Sequence, residues 1–125
     1  MPFVLDLSDS YSWPVTVEVP EDGRHRTMKF DGEFARLDQD RINEIHAAMQ
    51  ARLVAMQSGE DDVELIDDQG IASEVLVGWA GILDGDGNEV VYSEAVKAKL
   101  LKVSAVAAAV VRAWGESLRS GKRKN

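Results

Sequence analysis

Val15, Val17 and Val19 alternate with Thr16 and Glu18, the period of a strand with one face turned to a core. Pro20-Glu21-Asp22-Gly23 follows as a turn, proline fixing φ early and glycine supplying positive φ at the end. The stretch from Arg24 to Phe34 then predicts a returning strand, with Met28 and Phe30 on one face and Thr27 and Lys29 on the other. Phe3 to Leu7 offers a third, short strand, ended by Ser8-Asp9-Ser10.

The period changes after Leu37. Asp38 stands where a carboxylate can accept from the free amides of a first helical turn. Ile42, Ile45, Met49, Leu53 and Met56 then recur every third or fourth position, predicting a helix from about Gln39 to Gln57 that stops at Ser58-Gly59. The acidic run Glu60 to Asp68 reads as a connector, with room for a short helical turn. Ile71, Val75, Leu76 and Trp79 suggest a second helix with Trp79 at its end, weakened by Gly70 and Gly78. Ile82-Leu83 and Val90-Val91-Tyr92 flank a glycine-rich turn, a small second hairpin. Ser93 caps a helix from Glu94 to about Lys102, and Val106, Val110, Ala113 or Trp114, and Leu118 mark a last helix from Ala105 to Leu118.

These elements predict an α+β fold: an N-terminal hairpin, with a third strand on offer, then a body of about four helices carrying a small second hairpin. Residues 1–120 form one domain, and Gly121 to Asn125 a mobile basic tail.

Charge sharpens the picture. The chain of 125 residues has a formal net charge of −8, which argues against nucleic acid as a partner, since phosphate binding needs clustered Lys and Arg. No Lys or Arg occurs from Leu53 through Val96, while eleven of the 22 acids do. Arg119, Lys122, Arg123 and Lys124 close the chain without an acid among them. An acidic face and a basic tail suit solubility first and electrostatic steering of protein partners second. No apolar run has the length of a membrane helix. No basic residue precedes Arg24 to begin a signal peptide, so a cytoplasmic location is expected.

Candidate chemistry is sparse. The chain has no cysteine, which excludes a disulfide framework, a thiol nucleophile and cysteine-based zinc sites. His25 and His46 lack metal-ligand spacing. Asp84, Asp86 and Asn88 open like a calcium loop, but glycine is required at the sixth position, where Glu89 stands, and glutamate at the twelfth, where Ala95 stands. Asp-Gly and Gly-Asn pairs are equally what a tight turn selects. No nucleophile elbow, P-loop or dinucleotide fingerprint appears. The expectation is a protein that is not an enzyme and takes no cofactor. Trp79, Trp114 and the tail residues Lys122, Arg123 and Lys124 are the candidates for contact with a partner, core packing being the alternative for the two tryptophans.

Leu76-Val77-Gly78-Trp79-Ala80-Gly81-Ile82-Leu83-Asp84, the turn Asp86-Gly87-Asn88 and Val91-Tyr92-Ser93-Glu94-Ala95-Val96 resemble a pattern of the tail assembly chaperones of long-tailed bacteriophages. In that pattern a Trp-x-Gly-apolar-x-Asp segment meets a glycine turn, a Tyr-Ser helix start and a basic tail. Phe30-Asp31-Gly32-Glu33-Phe34-Ala35-Arg36-Leu37 resembles the phenylalanine-rich strand before the family's first long helix. The resemblance implies a protein that binds the helical tape measure protein, keeps it soluble, helps recruit tail tube subunits and leaves before the virion is finished. It would act in the bacterial cytoplasm, with homo-oligomers compatible with the role. It also implies that a longer, frameshifted form can exist, and it transfers no catalytic residue. The alternative readings are another phage morphogenesis protein, either a head–tail adaptor or a minor tail component, and, behind that, a small calcium-binding module on the Asp84 turn.

Overall fold

The computed structural model describes residues 2, 3, 5, 7–59 and 67–119. Its order is β1 (Ser10–Glu21), β2 (Arg24–Ala35), α1 (Gln39–Ser58), α2 (Asp68–Val75), β3 (Leu76–Ala80), α3 (Glu94–Leu101) and α4 (Ser104–Ser117). The three strands form one antiparallel sheet in the order β1-β2-β3. This is the α+β arrangement the patterning predicts.

The hairpin turns on two residues, Asp22 at φ 51° and Gly23 at φ 80°. Positive φ at both central positions matches the twist of the flanking strands, and Asp-Gly tolerates it. Pro20 is therefore not part of the turn, as the sequence reading had it, but sits in β1 opposite His25. Its missing N–H removes no bond to β2 there: with Glu21 and Arg24 as the bonded pair beside the turn, alternate pairs bond across the hairpin, and Pro20 falls on an outward position.

The third strand is not Phe3 to Leu7. Phe3, Leu5 and Leu7 lie outside any strand and are exposed. It comes instead from Leu76–Ala80, the stretch read as the end of the second helix. Asp31 pairs with Ala80, Gly32 with Trp79 and Glu33 with Gly78, and the register then shifts so that Phe34 meets Leu76. Helix α2 stops at Val75 because Val77 and Gly78 that follow are poor helix formers, and because Leu76 is fully buried once the chain pairs with β2.

One face of the sheet holds the core. Val15, Val17, Phe30 and Phe34 point inward, while Thr16, Glu18, Asp31 and Glu33 between them are exposed. α4 lies across β1 on the inner face and packs on α2 through Val106, Ala109, Val110, Ala113 and Trp114 against Ile71, Ala72 and Val75. The alanines let the helix approach closely. Gly32 is required by the same closeness: a Cβ there would sit 3.1 Å from Val15 Cγ2 and 3.2 Å from Leu76 Cδ1.

The predicted caps are in place. Asp38 accepts from the Arg41 amide at 2.9 Å and Gly59 ends α1 at φ 75°. Ser93 accepts from the Val96 amide at 3.1 Å to begin α3. The small second hairpin is reduced to one bridge, Leu83 to Glu89. The connector at Glu60 to Ile66 and the tail from Ser120 to Asn125 lie outside the described residues.

Candidate partner-binding surface

Helix α1 runs antiparallel to α2 and is tied to it by long side chains. Arg41, in its first turn, donates Nε and Nη2 to the two carboxylate oxygens of Glu74, each at 2.6 Å, and Nη1 to Glu44 at 2.8 Å. Arg52, near the other end, donates to Asp68 at 2.9 Å. The Arg41 hydrogen bonds hold the Glu74 carboxyl below the usual carboxylate range against the opposing effect of its burial, and the two carboxylates raise the Arg41 guanidinium in turn.

The apolar stripe of α1 divides near the second tie. Ile45 is buried, and Ile42 and Met49 pack at the edge of the core. Leu53, Val54 and Met56 remain 53%, 54% and 64% exposed. The pattern that predicts the helix therefore overstates how much of it faces inward. The stripe thus extends past the core that buries its first half.

A second apolar surface lies on the inner face of the sheet, at its hairpin end. Met28 and Leu83, both exposed, join Val17, Val19, Phe30 and Ile82 around an open groove of about 580 Å³. Arg26 and Lys29 stand on its rim. Gly81, at φ 88°, creates one wall by turning the chain across Phe30 and away from β2.

Lys97 is the functional-looking residue that periodicity hides. It is 5% exposed, and its ammonium donates to the carbonyls of Ser73 at 2.8 Å and Leu76 at 2.9 Å, with Glu94 at 3.6 Å. A cation at the end of α2 satisfies free carbonyls and meets the negative end of the helix dipole. Tyr92 lies beside it, its ring 5.7 Å from the ammonium and its hydroxyl donating to Glu94 at 2.6 Å. Burial, reinforced by that carboxylate, pushes the Tyr92 phenol up to about 12. The same hydrogen bond, with the Lys97 charge behind it, lowers Glu94. This cluster ties α2, β3 and α3 together, and its polar groups satisfy one another.

The candidates from the sequence are scattered. Trp114 is 1% exposed and packs in the core, so its ring offers no surface to a partner. Trp79 is half-buried in β3, donating Nε1 to the Val90 carbonyl at 2.8 Å with its ring 4.8 Å from Tyr92. Both tryptophans thus do structural work. Lys122, Arg123 and Lys124 fall outside the described residues.

In the Asp84 turn, one carboxylate oxygen accepts the amides of Asp86 and Asn88 at 2.9 and 3.0 Å, and Gly87 takes φ 83°. That geometry explains the Asp-Gly-Asp-Gly-Asn sequence on backbone grounds. Among the described residues no three His, Asp or Glu side chains converge as metal ligands would. Among them, too, no helix is long and apolar enough to cross a membrane.

The fold and surface define a small α+β domain whose distinguishing features are exposed apolar faces. A family model described as YdaY prophage protein matches residues 29–124. The match takes in the later part of β2, all four helices and β3, and the chain belongs to that prophage family. No curated protein and no solved structure gives a significant match.

Proposed function

We propose that this prophage protein is a tail assembly chaperone: it binds the tape measure protein, keeps it soluble and helps recruit tail tube subunits around it. The observation that carries the reading is the outward apolar stripe of α1, Leu53 and Met56 with Val54 beside them, on a helix tied to the body at both ends. A tape measure chain exposes long apolar helix faces before the tube closes on it, and such faces aggregate unless covered. A rigid amphipathic helix covers another helix by side-by-side packing of apolar stripes. The acidic character of the chain keeps the complex in solution. Tube protein then displaces the chaperone by mass action as it polymerises.

The role is not enzymatic, uses no cofactor, and belongs in the cytoplasm of the bacterial host. The test is coexpression with the tape measure protein of the same prophage, followed by its soluble yield and co-purification. The reading expects both to rise, and unchanged yield with no co-purification contradicts it. Mass spectrometry of purified virions separates it from a head–tail adaptor or minor tail component. A chaperone is absent from the finished particle, and a structural component is present in it.

A further inference from the structure

We infer that the free edge of β2, from His25 to Lys29, is a strand-addition site for an extended segment of another protein, apolar at alternate positions and acidic at its flanks. The inference rests on sheet geometry and does not require the tape measure protein to be the partner.

The sheet has two edges, and they differ. By the alternation that starts at Glu21 and Arg24, the outward positions of β1 include Pro20 and Pro14, which pair with His25 and Asp31. Proline has no N–H to offer a new strand, so that edge is blocked twice in seven residues. On β2 the outward positions are His25, Thr27, Lys29, Asp31 and Glu33. β3 pairs with Asp31 and Glu33 and goes no further, because Gly81 turns the chain away after Ala80. Among the described residues, the outward backbone groups of His25, Thr27 and Lys29 take no hydrogen-bond partner. They continue the line of β3 and form a ready template.

The groove fits the same occupant. A strand laid along this edge would point every second side chain to the inner face, where Met28, Ile82 and Leu83 leave about 580 Å³. Charge selects its flanks. Arg24, His25, Arg26 and Lys29 place basic side chains along the strand that an incoming segment would meet first. The neighbouring carboxylates stand mostly on the turn and on β1, one strand further from an incoming chain: Glu21 lies 3.7 Å from Arg26, Glu18 faces Thr27 and Asp22 is in the turn. Asp31 follows on β2, where β3 begins to pair. A second copy of β2 is the wrong partner: antiparallel pairing about Thr27 would set Lys29 opposite His25 and make the two Arg26 side chains like-charged diagonal neighbours on one face.

The experiment uses the whole chain with a short labelled peptide of alternating valine and threonine flanked by aspartate and glutamate. A peptide with lysine at the flanks is the control. Binding by fluorescence anisotropy, and amide hydrogen exchange at Thr27 and Lys29, are the readouts. The expected result is binding of the acidic peptide, weakened by salt, with slower exchange at both amides and no binding of the basic control. Thr27→Pro removes an outward N–H, as Pro14 and Pro20 show this hairpin tolerates, and should weaken binding about tenfold or more. Where that variant does not fold, Arg26→Glu with Lys29→Glu decides, again with a loss of about tenfold or more. Equal binding of both peptides, no binding at millimolar peptide, or binding without protection of these amides overturns the proposal. So does a dimer of the free chain that the Lys29→Glu variant strengthens. Variants on α1 leave this binding unchanged, so its failure and the failure of the chaperone reading are separate results.

Discussion

Single positions set how tightly the two layers close, and glycine shows it with opposite signs. At Gly32 an added methyl group meets Val15 and Leu76 at 3.1 and 3.2 Å. Gly32→Ala should lower stability by about 1–3 kcal/mol, the usual cost of overpacking. Gly115 lies within α4 with nothing inside 4 Å of such a methyl group, so Gly115→Ala should raise stability by about 0.5–1 kcal/mol through helix propensity. Urea denaturation of the two variants beside the parent checks both signs. Tyr92 is the titrating residue to follow. With its folded pKa pushed up to about 12, the stability it contributes is fully present below pH about 10 and is lost as pH rises toward that value. Ultraviolet titration of the phenol in Glu94→Gln should show a midpoint that falls but stays above the free tyrosine value, because burial is the largest cause of the shift.

At the scale of elements, much of the fold was legible because its signals are local. The alternation of Val15, Val17 and Val19, the Asp38 and Ser93 caps, and the stops at Gly59 and Gly23 each act within a few residues. The misreadings come where a distant partner decides. Leu76 to Ala80 continues a helical period, but pairing with β2 makes it a strand. Pro20 looks like a turn residue, but the Asp22-Gly23 pair takes the turn and leaves it on a strand edge. Of the candidate surface, α1 was legible as a stripe, but which half faces outward depends on where the core ends. The β2 groove was not legible, since it exists only because β3 is short and Gly81 turns away. Lys97 was hidden among the exposed-looking residues of α3, and it belongs to this scale. Lys97→Met strands the carbonyls at the end of α2 and at Leu76, and should cost about 1–3 kcal/mol. Hydrogen exchange should show faster opening confined to α2, β3 and α3, whereas uniform acceleration would mean the tie is not local.

For the molecule as a whole, the family membership, the acidic balance and the exposed stripe of α1 support the account proposed above: a prophage domain that buries one face of each layer and would offer the remaining apolar surface to other chains. On these proposals the two surfaces make separate demands, side-by-side packing at α1 and strand addition at β2. The central claim rests on α1. Leu53→Glu with Met56→Glu changes residues already more than half exposed, so the melting temperature should stay close to the parent's. The decisive measurement is the soluble yield of tape measure protein coexpressed with this double variant, beside coexpression with the parent chain. The account predicts that the parent raises the yield and the folded variant does not. Equal rescue by both would contradict it, because the stripe would then have no part in holding the partner.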